Sequence, residues 1–359
     1  MAYELSDALS PVRVTESSAR AFVAGFLETL GANRDEARIN ADGIVTAALW
    51  WHPGQGQGLE KLPRYARRFA NGGLVGDASM TWVTERTSTA LLDAGKGLGY
   101  VSGHRAMTKA IAKARSAGVS MVAVRNSNHF GTSGYHAKHA ADQGLIGIAM
   151  TNAGAEMAPW GSATPVLGTN PWGIAVPRRD HPPIVLDMAL TQSGKGMMRW
   201  FQREGLPIPD NWALTPEGER TTDPAAADQG PLLPMGDYKG YGLSLVTDVL
   251  TGVLSGALFG ADVFQEDTHF DVAHTMLAID VEAFMDRDTF HDRLEVLLDQ
   301  VTSAPPIDPD RPVQLPGEAE LRRGELRRAE GIPIHPDLFA DLATLAAAVG
   351  ARFSLRTVD

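Results

Sequence analysis

The chain has 359 residues, of which 44% are hydrophobic and 21% are charged, so it can bury a sizeable core and has room for about two domains. Its formal net charge of -11 argues against a nucleic-acid-binding surface, which needs clustered lysine and arginine to displace counterions from phosphates. The absence of cysteine excludes disulfides, thiolate nucleophiles and cysteine-ligated metal sites. No apolar stretch has the ~20 residues that a membrane span needs, and no secretory signal pattern opens the sequence, so we expect a cytoplasmic protein that binds no membrane.

The N-terminal part of the sequence, up to about residue 75, is predicted to be helical. Thr15 can cap an amphipathic helix that ends at Gly31, and a second helix is predicted from Asp35 to Trp50. The glycine-rich segment 52–58 (HPGQGQG) interrupts this pattern, and helical spacing resumes over 59–69.

From Ser88 onward, strand and helix patterns alternate, which is typical of an α/β domain. Strands are predicted at 89–93, 119–124, 145–150, 172–176, 184–188 and 276–281. Helices are predicted at 102–117, 134–143, 241–258 and 287–301 and, after a proline-rich linker, at 318–330 and 337–349. The segment 199–234 has no clear period, so we expect an extended surface excursion that is either a lid or a loop without a role.

Three glycines, Gly95, Gly97 and Gly99, lie between a predicted strand and a predicted helix, where a glycine-rich turn could hold a pyrophosphate. Their spacing does not fit. In the dinucleotide-binding fingerprint the third glycine follows the second by three residues, whereas Gly99 follows Gly97 by two. We therefore interpret this segment as an ordinary turn and helix cap that binds no phosphate.

His129 is the candidate acid/base residue. It follows the apolar run 119–124, so the turn Asn128-His129-Phe130-Gly131 lies at a strand end, where open α/β sheets bind ligands. An imidazole exchanges a proton near neutral pH, which suits the interconversion of an alcohol and a carbonyl. The alternative is a histidine that is satisfied within the fold. His136 and His139 lack the spacing and the intervening carboxylate of a zinc-binding helix, so we predict no metal site there.

Other polar residues lie at turns and helix starts. Asp187 ends a predicted strand, where a carboxylate can accept hydrogen bonds from ribose hydroxyls or simply cap the next segment. Thr169 and Asn170 can bind amide or phosphate groups. Lys61 could bind a substrate carboxylate or belong to a solvated helix face, and Lys239 opens a helix whose N-terminal amides favour an anion.

Taken together, six short motifs resemble the type 2 malate/lactate dehydrogenase family, whose members are NAD(P)-dependent dehydrogenases and reductases. The motifs span nearly the full length and occur in the family's order. They are Leu62-Pro63-Arg64-Tyr65, Asn128-His129-Phe130-Gly131, Gly168-Thr169-Asn170-Pro171, Leu186-Asp187-Met188-Ala189, Lys239-Gly240-Tyr241-Gly242 and Pro316-Gly317-Glu318.

This resemblance implies an α/β fold with a non-standard NAD(P)-binding domain, unlike the GxGxxG Rossmann domain, that has a mixed sheet and spans 81–309. A helical substrate and dimerisation domain would consist of 1–80 with 310–359. The resemblance also implies a homodimer and a small carboxylate substrate that faces His129. NAD or NADP would be bound by Thr169, Asn170, Asp187, Met188, Ala189, Tyr238, Lys239, Gly317 and Glu318.

Two residues depart from the family pattern. The family's proton-donating histidine is Gln57 here, and an amide can donate a hydrogen bond to a carbonyl but cannot deliver a proton near pH 7. The family's arginine is Lys61, which keeps the charge and loses the planar fork that grips a carboxylate. A donor must then come from His129 or water, and His52 is a nearby alternative.

We expect an oxidoreductase that transfers a hydride between a nicotinamide cofactor and a small 2-hydroxy or 2-oxo acid. His129 would be the acid/base residue, and Gln57 and Lys61 would orient the substrate. One alternative is a reductase of cyclic 2-imino acids, whose nitrogen can arrive already protonated. Another is a catalytically weakened relative that binds nucleotide as a sensor.

Overall fold

The computed structural model describes residues 11–264 and 270–358. Its strands are β1 (Val12–Val14), β2 (Thr81–Glu85), β3 (Thr89–Asp93), β4 (Val119–Ser127), β5 (Leu145–Thr151), β6 (Trp172–Val176), β7 (Ile184–Met188), β8 (Val272–Asp280) and β9 (Ile332–Ile334). A seven-stranded sheet has the order β2-β3-β4-β8-β5-β6-β7, in which β3 and β4 are parallel and the other neighbours are antiparallel. This mixed sheet confirms the expected α/β fold class.

The helices are α1 (Glu16–Thr29), α2 (Arg34–Trp50), α3 (Leu62–Ala70), α4 (Gly99–Ala117), α5 (Ser133–Ala141), α6 (Lys195–Arg203), α7 (Pro224–Gln229), α8 (Tyr238–Asp248), α9 (Arg287–Thr302), α10 (Glu318–Glu330) and α11 (Pro336–Val349). Local sequence explains where helices α1 and α2 begin. The Thr15 side chain accepts a hydrogen bond from the Ser18 amide at 3.3 Å, and Asn33 forms a capping box with Glu36. None of the helices in the described ranges is long and apolar enough to cross a bilayer.

The central strand β8 is covered on both faces, because its side chains alternate between two packing partners. Met276 and Ala278 join the core under α4 and α5. Thr275 points to the other face, where its hydroxyl donates to the carbonyl of Leu250 at 2.8 Å in the π-helical turn Val249–Val253. Two helical layers therefore enclose the middle of the sheet.

A separate hydrophobic core joins the two ends of the chain. Phe22 and Phe26 of α1 pack in the same cluster as Leu342 and Ala346 of α11. The strand β1 pairs with β9 in an antiparallel two-stranded sheet, so main-chain hydrogen bonds also connect these ends. The division at 81–309 stays a prediction, and residues 1–10 of the predicted helical unit lie outside the described residues.

The structure corrects several predicted elements. The excursion 199–234 contains the end of α6 and all of α7, with a small core that includes Trp200, Phe201 and Leu232. The predicted helix 241–258 is α-helical only to Asp248 and continues as the π-helical turn. Strand β8 begins at Val272, four residues before its predicted start, because buried polar side chains hid its apolar pattern. Strands β1, β2 and β9 are short or exposed and were not predicted.

Candidate active site

The turn that carries His129 follows β4 and is fixed by its neighbour Asn128. The buried Asn128 amide donates to the carbonyls of Lys96 at 2.9 Å and Gly73 at 3.2 Å, and its oxygen accepts from Arg68 at 3.3 Å. Gly131 has a φ of +83°, and a Cβ there would overlap the Tyr100 ring. The turn is therefore held on both sides, which limits where the half-buried imidazole can lie.

The His129 ring has a defined tautomer and a depressed pKa. Its Nδ1 accepts a hydrogen bond from the Gly131 amide at 3.3 Å, so a neutral ring carries its proton on Nε2. Burial lowers the pKa of His129 well below its usual range, and the charges of Lys61 and Arg64 lower it further. His129 is therefore neutral near pH 7 and can donate a hydrogen bond through Nε2.

Lys61 ends the 3-10 turn Leu59–Lys61 that leads into α3. Burial and the positive charge of Arg64 lower the pKa of Lys61 to about 7, while the charges of Glu156 and Glu60 act in the opposite direction. The Lys61 side chain makes no hydrogen bond or salt bridge with any residue in 11–264 or 270–358. Its ammonium group is thus available to a ligand.

Gln57 and His52 lie in the loop before Lys61. The Gln57 amide donates to the carbonyl of Gln55 at 3.3 Å, and its buried oxygen has no hydrogen-bond partner among the described residues. His52 accepts from the Gly54 amide at 3.0 Å through Nδ1, and its ring packs edge-on against Trp200 at 4.7 Å. His52 has a structural role in the loop, which weakens its candidacy as a donor.

Helix α6, whose second half begins the excursion and carries Trp200, packs over this loop. Helix α6 packs so closely that a Cβ at Gly196 would lie 2.5 Å from the carbonyl oxygen of Gly54 and 3.0 Å from that of Gln55. Lys195 at the start of α6 donates to the carbonyls of Ala227 at 2.8 Å and Asp228 at 2.7 Å, which joins α6 to the end of α7. Of the two roles left open for the excursion, the structure favours a cover over the loop.

Glu156 was not identified from the sequence. It lies in the loop after β5, half-buried, and makes no side-chain hydrogen bond or salt bridge with the described residues. Burial raises its pKa, while the charges of Lys195, Lys61, Arg199 and Arg64 oppose that shift. Glu156 and Lys61 are thus close enough for each charge to affect the pKa of the other, although no hydrogen bond or salt bridge joins them. Its sequence signal is a lone carboxylate soon after an apolar strand.

Most of the predicted cofactor residues are brought to one region. The Leu190 amide donates to the carbonyl of Thr169 at 2.8 Å, and the Met235 amide donates to that of Leu190 at 2.9 Å. These bonds place the turn at 168–170, the end of β7 and the start of α8 side by side. Asn170 is buried, with its oxygen accepting from Ala153 at 3.0 Å and its amide donating to Ser244 at 3.0 Å. It therefore positions the turn.

Asp187 lies at the N-terminus of α5, where its carboxylate accepts a hydrogen bond from the Gly134 amide at 2.9 Å. Burial raises the pKa of Asp187 to about 7, although this hydrogen bond opposes the shift. Asp187 therefore accepts from the first turn of α5, a helix that precedes it in the chain, rather than from the segment that follows it. Met188 and Ala189 follow it and are half-buried.

A cavity of about 210 Å³ lies beside Asp187. Its walls are Trp50, Trp51, Val185, Leu186, Asp187, Pro316, Gly317, Glu320 and Leu321. The Val185 amide donates to the carbonyl of Pro316 at 3.1 Å, which fixes the C-terminal segment against β7. The neighbouring Glu318 carboxylate accepts from the Leu315 amide at 3.0 Å. Tyr238 and Lys239 are exposed at the start of α8.

His136, His139 and the glycine-rich turn have structural contacts. The His136 Nε2 lies 2.8 Å from the carbonyl oxygen of Phe130, and the His139 Nε2 lies 3.1 Å from the Thr108 hydroxyl. No group of three or more side chains suited to a metal ion occurs in the described ranges. A Cβ at Gly99 would lie 2.3 Å from the carbonyl oxygens of Asn128 and His129, so this glycine permits close packing of α4 on the turn.

Comparison with known proteins identifies the family. A model of malate/L-lactate dehydrogenase matches residues 14–343. The chain belongs to this family. Malate dehydrogenase of Pyrococcus horikoshii is 35% identical over 348 residues, which cover 94% of this chain and 96% of that protein. A solved structure of malate dehydrogenase from Pyrococcus horikoshii OT3 has a TM-score of 0.87 at 32% identity, and the match covers 96% of this chain and 99% of that one.

The malate/L-lactate dehydrogenase family includes enzymes with several named substrates. L-sulfolactate dehydrogenase of Methanothermobacter thermautotrophicus is 33% identical over 338 residues, covering 93% of this chain and 96% of that protein. The structure of delta1-piperideine-2-carboxylate reductase from Pseudomonas syringae pvar.tomato has a TM-score of 0.83 at 26% identity, covering 93% of this chain and 99% of that one. Because these relatives are dehydrogenases and reductases, the protein is an oxidoreductase, which favours an enzyme over a sensor.

Proposed function

We propose that the protein interconverts a small 2-oxo acid and its 2-hydroxy acid, with NAD or NADP as the second substrate. One observation carries the proposal: helix α3 meets the His129 turn, where Arg68 donates to Asn128 at 3.3 Å, and the charges of Lys61 and Arg64 lower the pKa of His129. Lys61 and Arg64 attract the substrate carboxylate, and His129 Nε2 donates a hydrogen bond to the reacting oxygen. Gln57 orients the substrate from the adjoining loop.

The residues around Asp187 suit a dinucleotide. The apolar walls of the cavity, including Trp51 and Leu186, can contact a planar base, and carboxylates such as Asp187 can accept from hydroxyl groups. Met188, Ala189, Thr169, Tyr238, Lys239, Gly317 and Glu318 complete the proposed cofactor region, with Asn170 as a positioning residue. The reduced nicotinamide supplies the hydride, and the protein supplies orientation and a proton.

The test of this function is reduction of a panel of 2-oxo acids with NADH and NADPH, followed at 340 nm. We expect turnover with at least one acid and a loss of kcat of roughly 100-fold or more in His129→Ala, since a group in contact with the reacting oxygen contributes that much. The exposed variant Glu217→Gln should behave as wild type. Cofactor binding without turnover of any acid, or an active His129→Ala, would contradict the proposal.

A second candidate function is reduction of cyclic 2-imino acids. Gln57 favours it, because a substrate nitrogen that arrives protonated needs no donor at this position. Steady-state kinetics that compare pyrroline- or piperideine-2-carboxylate with pyruvate separate the two functions. A kcat/KM at least 10-fold higher for the imine would favour the second.

We also propose a homodimer, since α8 has its polar side chains inside and its apolar ones outside. The buried polar side chains of α8 and of the helical residues that continue it are Ser244, Thr247, Asp248, Thr251 and Ser255. The exposed side is formed by Leu245, Val246, Val249, Val253 and Leu254, with exposed fractions of 45% to 59%. Five exposed apolar side chains on one helix face indicate that another protein surface covers them. The family suggests that this surface belongs to a second copy of the chain. The cytoplasmic location stays a prediction.

A further inference from the structure

The active site has a lysine, Lys61, where the family pattern has an arginine, and this difference bears on the missing proton donor. Reduction of a carbonyl places negative charge on its oxygen, which must receive a proton. Gln57 cannot supply it. His129 cannot readily supply it either, because its Nδ1 is engaged with the Gly131 amide and burial favours the neutral ring. The proton must come from another group or from water.

Resting on the proposed function, we propose that Lys61 is the proton donor in reduction and the proton acceptor in oxidation. Its ammonium group has no hydrogen-bond or salt-bridge partner among the described residues. Lys61 directly precedes α3 and lies seven residues, or about two helical turns, before Arg68, which donates to Asn128 of the His129 turn at 3.3 Å, so Lys61 is on the helix side that meets this turn. An arginine at this position could hold a carboxylate but could not release a proton. The two departures from the family pattern then compensate each other, because Lys61 donates the proton that the family's histidine would donate and that Gln57 cannot.

The proton balance is simple. The reduced nicotinamide dinucleotide provides two electrons to the carbonyl carbon as hydride, the C=O π bond breaks, and the oxygen takes the electron pair. An N–H bond of Lys61 then breaks as the O–H bond of the product forms. Neutral Lys61 regains its proton from solvent. During both steps His129 donates a hydrogen bond from Nε2 to the reacting oxygen, and Arg64 binds the substrate carboxylate.

The surroundings of Lys61 suit this exchange. Glu60 lies next to it in the same turn, Arg64 and Arg68 are on α3, His129 is on the turn after β4, and Glu156 is on the loop after β5. Burial and the arginines favour the neutral amine, whereas the carboxylates favour the ammonium ion. The balance leaves the pKa of Lys61 at about 7, which is where a donor and acceptor works best near neutral pH.

The experiment compares Lys61→Arg with the double variant Gln57→His/Lys61→Arg, which has the family's residues at both positions. We expect Lys61→Arg to keep KM within a few-fold and to lose roughly 100-fold or more in kcat, because the charge remains and the proton does not. The double variant should recover at least 10-fold of that loss. The surface variant Lys138→Arg serves as a matched control.

The pH profile provides the second measurement. Wild-type kcat for reduction should fall above a pKa near 7, and this limb should be absent in Lys61→Arg. If Lys61→Arg alone has wild-type kcat across the pH range, Lys61 only binds charge and the proposal is wrong. If wild type reduces no acid or imine at all, the proposed function fails first, so the two failures are distinguishable.

Discussion

Lys61 and Glu156 show how single residues affect proton binding in the candidate active site. Neither is paired within the described residues, yet each affects the pKa of the other through space. The carboxylate also keeps Lys61 protonated to a higher pH than burial alone would allow.

Replacing Glu156 with glutamine should therefore lower the pKa of Lys61. We expect the alkaline limb of kcat/KM to move to lower pH, so that activity at pH 8 falls roughly 3- to 10-fold while activity at pH 6 changes little. A pH series of initial rates measures this. Glu217→Gln is the control, and a limb that stays in place would show that Glu156 does not act on Lys61.

The turn that carries His129 depends on the helix that packs against it. Helix α4 begins at Gly99, whose lack of a side chain lets the Asn128 and His129 carbonyls approach closely. The same glycine was interpreted from the sequence as part of an ordinary turn and cap. Its role at the site is thus to permit packing that positions His129.

Gly99→Ala should move this turn and misplace the imidazole. We expect kcat to fall by about 10- to 100-fold, because a displacement of roughly 1 Å at a catalytic group has that cost. Kinetics together with a thermal melt measure the effect. Gly25→Ala in α1 is the control, since its Cβ would meet nothing within 4 Å. Unchanged kcat in Gly99→Ala would show that the turn tolerates the shift.

Helix α8 bears on assembly. Val246→Asp would place a charge in the middle of its exposed apolar face, so we expect the homodimer to dissociate into monomers. Sedimentation velocity of the purified protein checks this. Val83→Asp, on the exposed strand β2, changes an apolar residue of similar exposure and should leave the dimer intact. A monomeric wild-type protein would contradict the proposed dimer.

At the scale of the whole molecule, two cores are joined through a buried polar centre under the active site. His274 lies 2.8 Å from the Thr151 hydroxyl and 2.9 Å from the Ser127 hydroxyl, and its ring stacks on Phe130. His136 stacks on the same Phe130 ring, and it also packs against Tyr100 of the core that the chain ends share. We propose that the core shared by the chain ends and the sheet core correspond to the two predicted domains.

Burial lowers the pKa of both His136 and His274 to about 3. In the unfolded chain these rings bind protons near pH 6.5, so the unfolded state gains protons first as the pH falls. His104, with a pKa lowered to about 4, acts in the same direction, whereas Asp187 acts in the opposite one. Stability should therefore decrease as the pH falls below about 6.5.

Urea unfolding at pH 7.5 and pH 5.0 measures this dependence. We expect the free energy of unfolding to be lower at pH 5.0, and His136→Asn to lose part of the difference, since each buried neutral histidine contributes up to about 1.4 kcal/mol per pH unit. His181→Asn, at an exposed position, should keep the wild-type difference. Equal stability at both pH values would contradict the argument.

The sequence by itself determined the α/β class, most strands and helices, the strand-end position of His129 and the two departures at Gln57 and Lys61. These depend on local periodicity and residue type, which are read along the chain. The tertiary structure decided that Glu156 lies close enough to Lys61 to affect its pKa, that α6 covers the loop around Gln57, and that burial leaves His129 neutral and the pKa of Lys61 at about 7. Such effects depend on distances through space and on desolvation, which sequence spacing does not contain.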